Sequence, residues 1–226
     1  MTPLKRTIHP PVLLGLALLG LFLAGCAPAT PDTKIGRAAE AMFGKTGLLK
    51  EAQVEKFIAM DADNAEKIDV LMGIVREGEL MKRASAVSVI ARIDHPHRVD
   101  VLIELLKENT DTSRNVVQDH ESPAAVKQQI AQWAVTGLGL SFEPRAYEAL
   151  FDVLNTSDNN LLVCAILHDL GFAPINAKET GKELPDELRR RIEEQVRAKL
   201  VHDDRKVSEH AERALLRLQG KLGDFY

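Results

Sequence analysis

Four segments of the chain share one spacing of apolar residues. In each, apolar side chains occupy the first, fourth, fifth and eighth positions of a nine-residue stretch, which places them on one face of an α-helix. The segments are residues 86–94, 131–139, 163–171 and 211–219. Gly139 and Gly171 end two of these segments. Glycine commonly follows the last turn of a helix, so both are expected to mark helix ends.

A second apolar spacing alternates with the first. Stretches that begin at Ile68, Val99 and Tyr147 match each other, and residues 192–200 form a weaker fourth copy. Each stretch precedes a segment of the first type, so the predicted repeating unit is a pair of helices. Four prolines fall at or just before predicted helix starts, where proline is tolerated: Pro96, Pro123, Pro144 and Pro185.

The predicted fold is all-α. No stretch combines period-two alternation with turn chemistry, so no sheet is expected. The spacing of the copies favours an α-solenoid of about four antiparallel helix pairs within residues 64–226. Residues 35–63 are expected to form N-terminal capping helices, because the first pair of such an array needs a cover for its apolar face. Two polar insertions are expected, at residues 107–122 and 172–186.

Two segments resemble a known repeat family. Residues 93–106 resemble the join between consecutive HEAT-like repeats, and residues 204–215 resemble the second helix of such a repeat. The resemblance covers residues 64–220 and implies a right-handed, armadillo-type helical array. It indicates a fold and no particular activity, because one fold supports many functions.

The N-terminus has the pattern of a secretion signal. Lys5 and Arg6 are the only formal charges before Asp32, and residues 12–24 form an uncharged apolar run. That run is shorter than the roughly 20 residues that span a bilayer. Residues 1–25 are therefore predicted to be a signal peptide.

The apolar run ends in a short motif, Leu23-Ala24-Gly25-Cys26, which resembles the lipobox of bacterial lipoproteins. The resemblance implies cleavage before Cys26 and acylation of Cys26, with residues 26–34 as lipidated cysteine and tether. Two or more acyl chains hold a protein stably at a membrane. Ala27 follows the cysteine, and the resemblance implies that the lack of aspartate there favours the outer membrane, with the domain in the periplasm.

Charge, cysteine content and missing motifs argue against several classes of protein. The chain of 226 residues has a net charge of −4, which argues against a general nucleic-acid binder. Cys26 and Cys164 are its two cysteines, too few for a disulfide scaffold, and Cys164 is expected to be a buried free thiol. Motifs for a nucleophile elbow, a phosphate loop or a zinc protease do not occur in the sequence. No cofactor, no metal and no enzymatic activity is predicted.

An alternative function stays open at this point. His95 and His97 would place two imidazoles near one metal ion. The insertions at residues 107–122 and 172–186 would then complete a ligand-binding, metal-binding or catalytic module, because long loops often carry function. The join between two repeats explains the histidine pair without a metal.

Trp133, the only tryptophan, lies off the apolar stripe of its segment. A tryptophan among polar residues is typical of a binding hot spot. The matching positions of the other segments extend this face into a candidate partner-binding surface: Arg92, Gln129, Trp133, Asp169, Arg213 and Arg217. The alternative is that Trp133 packs beneath residues 107–122 or against a neighbouring helix. The predicted function is a lipid-anchored, non-enzymatic scaffold that binds another protein of the envelope.

Replacement of Cys26 tests the anchor. We expect Cys26→Ser to release the protein from membranes without changing its melting temperature, because the acyl chains lie outside the core. Membrane fractionation and a thermal melt measure both effects. Retention of the variant in the membrane fraction would contradict the lipoprotein assignment.

Overall fold

The computed structural model describes residues 33–110 and 122–222. Within these ranges the chain is all-helical, which confirms the predicted fold class, and its one β-type contact is an isolated bridge between Phe43 and Leu49. The helices of the described residues are α1 (Lys34–Ala41), α2 (Glu51–Ile58), α3 (Asn64–Glu77), α4 (Leu80–Ile90), α5 (Pro96–Glu108), α6 (Pro123–Gly139), α7 (Pro144–Thr156), α8 (Asn160–Glu179), α9 (Asp186–Ala198) and α10 (Arg205–Leu218). Cys26 with the rest of the predicted signal and tether up to residue 32, and residues 111–121 of the first insertion, lie outside the described residues.

Helix starts follow from local side-chain chemistry. At the start of α6, the Ser122 hydroxyl accepts a hydrogen bond from the Ala125 N–H at 3.1 Å. This satisfies one of the N–H groups that the first turn of a helix leaves free. The prolines that begin α5, α6 and α7 occupy the first helical position, where the missing N–H removes no helical bond. The predicted proline positions are confirmed.

The apolar residues of both spacings face the interior of the protein. Helices α4, α6, α8 and α10 carry the first spacing, and α3, α5, α7 and α9 carry the second. In α6, the stripe residues Ala131, Ala134, Val135 and Leu138 are fully buried. Leu215 of α10 is only partly buried, because α10 has its main contacts with α8 and α9 and no later helix of the described chain covers its remaining side.

Contacts between helices follow chain order. Helix α3 packs on α4, α5 on α6, α7 on α8 and α9 on α10. The even-numbered helices also contact one another in series, from α4 through α6 and α8 to α10. Helix α1 contacts α2 and α3 at the start of the described chain. A single apolar core therefore runs through all ten helices of the described residues.

Helix α8 departs from the sequence-based expectation. It continues through Gly171 to Glu179, so Gly171 does not end the helix and the first half of the predicted insertion at residues 172–186 is helical. Gly171 instead permits the close approach of α10. A Cβ atom at this position would lie 2.8 Å from the Ala214 Cα atom and 3.0 Å from its Cβ atom. Gly139 is the last residue of α6, as predicted.

We expect Gly171→Ala to destabilise the protein by about 1–3 kcal/mol, because the added methyl group overlaps the backbone of α10. Gly139→Ala is the matched control. A Cβ atom at Gly139 would meet the Asp169 Cβ atom at 3.5 Å, an ordinary contact. Its effect should stay below about 1 kcal/mol. Denaturant unfolding compares the two variants, and equal effects would show that α8 and α10 are not in close contact at Gly171.

Candidate interaction surface

Trp133 lies on α6 with 43% of its surface exposed. Its neighbours Ala131 and Ala134 are fully buried, so the indole ring projects away from the core stripe. Gln129, one turn earlier on the same face, is partly exposed. Residues 111–121, which belong to the alternative packing arrangement for Trp133, lie outside the described residues.

Asp169 connects α8 to α6 beside Trp133. The Thr136 hydroxyl donates a hydrogen bond to Asp169 Oδ2 at 3.0 Å. His168 Nδ1 lies 3.3 Å from the other carboxylate oxygen. Thr136 lies three residues after Trp133 on α6. The Asp169 carboxylate is therefore held in place by two neighbours.

Arg92 lies just beyond α4, and its guanidinium pairs with two carboxylates of α2. It lies 2.7 Å from Glu51 and also contacts Glu55. The hydrogen bond from Arg92 lowers the pKa of Glu51 below its usual value. Arg92 therefore helps to tie α2 to α4, and the structure does not leave its charge open for a partner.

Arg213 and Arg217 lie one turn apart on α10. Arg213 is exposed, whereas Arg217 is only 6% exposed. The guanidinium carbon of Arg217 lies 4.3 Å from the centroid of the Phe172 ring. The register of α10, one turn after Arg213, predicts an open position for Arg217, and the sequence does not show that Phe172 covers it. The extension of α8 to Glu179 brings this ring over Arg217 and buries it.

Two residues of this surface were missed from the sequence, Phe172 and His168. Their rings contact each other at a centroid distance of 4.7 Å. A signal for the longer helix was present, because Ala173 and Ala177 continue the apolar stripe beyond Gly171, and both are buried.

His95 and His97 both take part in packing. His95 is the N-cap of α5, and its Nδ1 atom accepts a hydrogen bond from the His97 N–H at 3.2 Å. The His97 Nε2 atom lies 3.0 Å from a carboxylate oxygen of Asp69 on α3. Among residues 33–110 and 122–222, no group of three or more histidine, cysteine, aspartate or glutamate side chains is arranged to hold a metal ion.

A surface depression of about 470 Å³ lies along α10. Its lining combines apolar and acidic side chains from the end of α9 and the outer part of α10: Leu200, Ser208, Glu209, Glu212, Leu215 and Leu216. Leu200 and Leu215 are exposed or partly exposed there, because the last helix pair of the described chain has no further neighbour. The depression contains none of the residues predicted to bind a partner.

Within the described residues, α8 alone has the length and apolar composition of a membrane-crossing helix, with a mean hydropathy of 1.3 over its best window. Half of that window is buried inside the protein. The helix packs against α6, α7, α9 and α10, and these contacts account for its apolar composition.

Comparisons of the chain with protein-family models, with curated proteins and with solved structures give no match.

The thiol of Cys164 gives a direct test of burial at α8. Cys164 is a buried free cysteine, as predicted, and burial raises its pKa to about 11. At pH 8, roughly one thiol in 1,000 is then ionised, and only the thiolate reacts with an aromatic disulfide reagent. In the Cys26→Ser variant, where Cys164 is the only thiol, we expect slow labelling at pH 8.

The labelling rate should rise as the pH approaches 11, and it should rise at pH 8 once denaturant unfolds the chain. Unfolding exposes the thiol and returns its pKa toward the ordinary value near 8.5. Fast labelling of the folded protein at pH 8 would contradict the burial of Cys164.

Proposed function

We propose that the protein is a lipid-anchored periplasmic scaffold that binds another protein of the envelope through the even-numbered helices. The observation that carries this proposal is the exposure of Trp133 in the middle of α6. Tryptophan is enriched among the few residues that supply most of the energy of protein interfaces.

We propose a finer fold as well, an α-solenoid of four antiparallel helix pairs that begins at α3, with α1 and α2 as its N-terminal cap. Contacts between α3 and α5 support it. Asp69 contacts His97, and Arg76 contacts Glu104; in both pairs the partners are 28 residues apart. Equal separations at two points along a pair of helices are expected when the helices run in the same direction, as successive first helices of a solenoid do.

The even-numbered helices give the same kind of support. Asn160 contacts Asp204, 44 residues later. Near the other end of these helices, Phe172 contacts Arg217 at almost the same separation. These separations are those of parallel neighbours, and they fit α8 and α10 as successive second helices of stacked repeats.

Contacts within a pair support opposite directions. Arg189, in the first turn of α9, donates a hydrogen bond to the carbonyl of Leu218, the last residue of α10, at 2.8 Å. The start of α9 therefore meets the end of α10. Since a short connection joins the end of α9 to the start of α10, these contacts fit an antiparallel pair.

Ion pairs between the odd-numbered helices favour the even-numbered helices as the binding surface. Arg145 of α7 pairs with Asp100 of α5, and Arg191 of α9 pairs with Glu148 of α7. These cations are already used between helices. Trp133 is exposed on α6, among the even-numbered helices. Its exposure favours the surface of α6, α8 and α10 as the one that a partner covers.

The anchor and the location rest on the sequence. The motif that ends at Cys26 supports acylation, and Ala27 favours the outer membrane with the repeats in the periplasm. An anchored array of helices would hold its partner close to the bilayer. We propose no enzymatic activity for it.

Trp133→Ala tests the binding surface. The acylated protein is isolated from membranes in a mild detergent, and the proteins that co-purify in stoichiometric amount are measured. We expect the variant to lose its partner while its melting temperature stays close to that of the natural protein, because the ring is exposed. Loss of a hot-spot tryptophan weakens binding by about 2 kcal/mol or more.

Val201→Ala is the matched control, because Val201 is 87% exposed and lies outside the candidate surface. This variant should keep the partner. A folded Trp133→Ala variant that retains the partner in full would refute the proposed surface.

A further inference from the structure

The guanidinium of Arg217 is buried without a polar partner. Its Nε atom is enclosed and forms no hydrogen bond. Its terminal nitrogens keep contact with solvent, and within residues 33–110 and 122–222 they form no hydrogen bond or ion pair either. Burying a charged group is costly unless other groups pair with it. The protein therefore holds, at the edge of its core, a mostly buried cation that has no acceptor among the described residues.

The other deeply buried cations of the described chain have protein partners, although the Nε atom of Arg98, like that of Arg217, is enclosed without a hydrogen bond. Lys67 is 1% exposed, and its Nζ atom donates to the carbonyls of Ile58 and Met60 and to the Asn64 side chain. Arg98, like Arg217, is 6% exposed, but it donates to the Ala91 carbonyl at 3.2 Å. Both stabilise the packing of helices.

Arg213 adds a second positive charge close to Arg217. It lies one turn from Arg217 on the same face of α10, and within the described residues its guanidinium also has no acceptor and no carboxylate partner. Burial lowers the pKa of Arg217, and the positive charge of Arg213 lowers it further. The two guanidinium groups destabilise each other in the free protein, and an anion placed between them would relieve this repulsion.

Phe172 sets the orientation of the Arg217 guanidinium. The guanidinium carbon lies 4.3 Å from the centroid of the Phe172 ring, a distance that fits stacking of the planar group on the ring, and the His168 ring packs against Phe172. A guanidinium covered on its face still presents its N–H groups along its edge. That edge matches the two oxygens of a carboxylate, which arginine binds in a planar, two-bond arrangement.

We propose that Arg213 and Arg217, with Phe172 behind them, bind a carboxylate side chain of the partner protein. This inference rests on the proposed function and specifies its chemistry. Trp133 lies on α6 and the arginine pair lies on α10, and α8 packs against both helices. The partner segment therefore carries an acidic residue for the arginine pair and an apolar residue for Trp133.

Titration calorimetry with peptide probes tests the site on the full, acylated chain in a neutral detergent. The probes are a blocked hexaglutamate peptide, a blocked hexaglutamine peptide and inorganic phosphate. We expect hexaglutamate to bind and hexaglutamine not to bind. Absence of hexaglutamate binding would overturn the proposal, and so would binding of phosphate without hexaglutamate.

Variants separate this site from general charge attraction. Arg213→Gln removes an exposed cation, and we expect it to weaken hexaglutamate binding by about tenfold or more. Arg205→Gln is the matched control, since Arg205 lies on the same helix, is 89% exposed and pairs with Glu209. It should leave the affinity within about twofold. Equal loss in both variants would show that only the net charge matters.

Arg217→Met distinguishes binding from a structural role. Methionine keeps an unbranched apolar side chain next to Phe172 and removes the unsatisfied charge, so the melting temperature should stay the same or rise while hexaglutamate binding is lost. A lower melting temperature with unchanged binding would show that Arg217 serves only the packing of α8 on α10. Arg213→Gln keeps the proposal testable if Arg217→Met does not fold.

The two proposals fail separately. If partner capture depends on Trp133 but hexaglutamate does not bind, the scaffold stands and the carboxylate site is refuted. If hexaglutamate binds through Arg213 and Arg217 but no partner depends on Trp133, the carboxylate site stands and the scaffold is refuted.

Discussion

Close approach of the even-numbered helices is the constraint on which the candidate surface depends. At Gly137, a Cβ atom would lie 2.6 Å from Leu102 Cδ1 and 2.7 Å from the Ala91 Cβ atom. At Gly171, it would overlap Ala214. Hydrogen atoms in place of side chains let α6 and α8 approach their neighbours with backbone nearly in contact. With larger residues, the helices would separate, and the contacts of Asp169 with Thr136 and of Phe172 with Arg217 would be lost.

The sequence predicted the features that depend on local patterns. The stripe at Ala131, Ala134, Val135 and Leu138 identified the buried face of α6, because a 3.6-residue period is visible in the sequence. It also placed Trp133 off that face. The length of α8 was missed, because a glycine that ends a helix and a glycine that admits a neighbouring helix look alike in a sequence. The difference lies in Ala214, which is distant along the chain.

The burial of Arg217 could not be predicted for a related reason. An arginine one turn after Arg213 on a polar face has the pattern of a solvated residue. Only the position of Phe172, set by the extension of α8, shows that the guanidinium is covered. The pairing of Arg92 with Glu51 and Glu55 depends in the same way on how α2 packs, and no spacing within one helix reveals it.

Charges are distributed unequally over the two sides of the helices. Cations of α3, α7 and α9 meet carboxylates of a neighbouring odd-numbered helix, as Arg76 meets Glu104 at 2.7 Å. Exposed pairs of this kind each contribute roughly 0–1 kcal/mol, so they adjust the alignment of helices more than they stabilise the fold. On the even-numbered side, Arg213 and Arg217 keep their charges without a carboxylate from the described residues.

Asp169 shows how that charge is preserved. It lies on α8 less than one turn before Phe172, and a carboxylate there is the obvious internal partner for an arginine of α10. Its oxygens instead face Thr136 and His168, which hold it toward α6. The Asp169 carboxylate is thus engaged with α6 and forms no ion pair with Arg217. Sequences that serve stability alone pair or remove buried charges, so an unsatisfied cation is expected where function opposes stability.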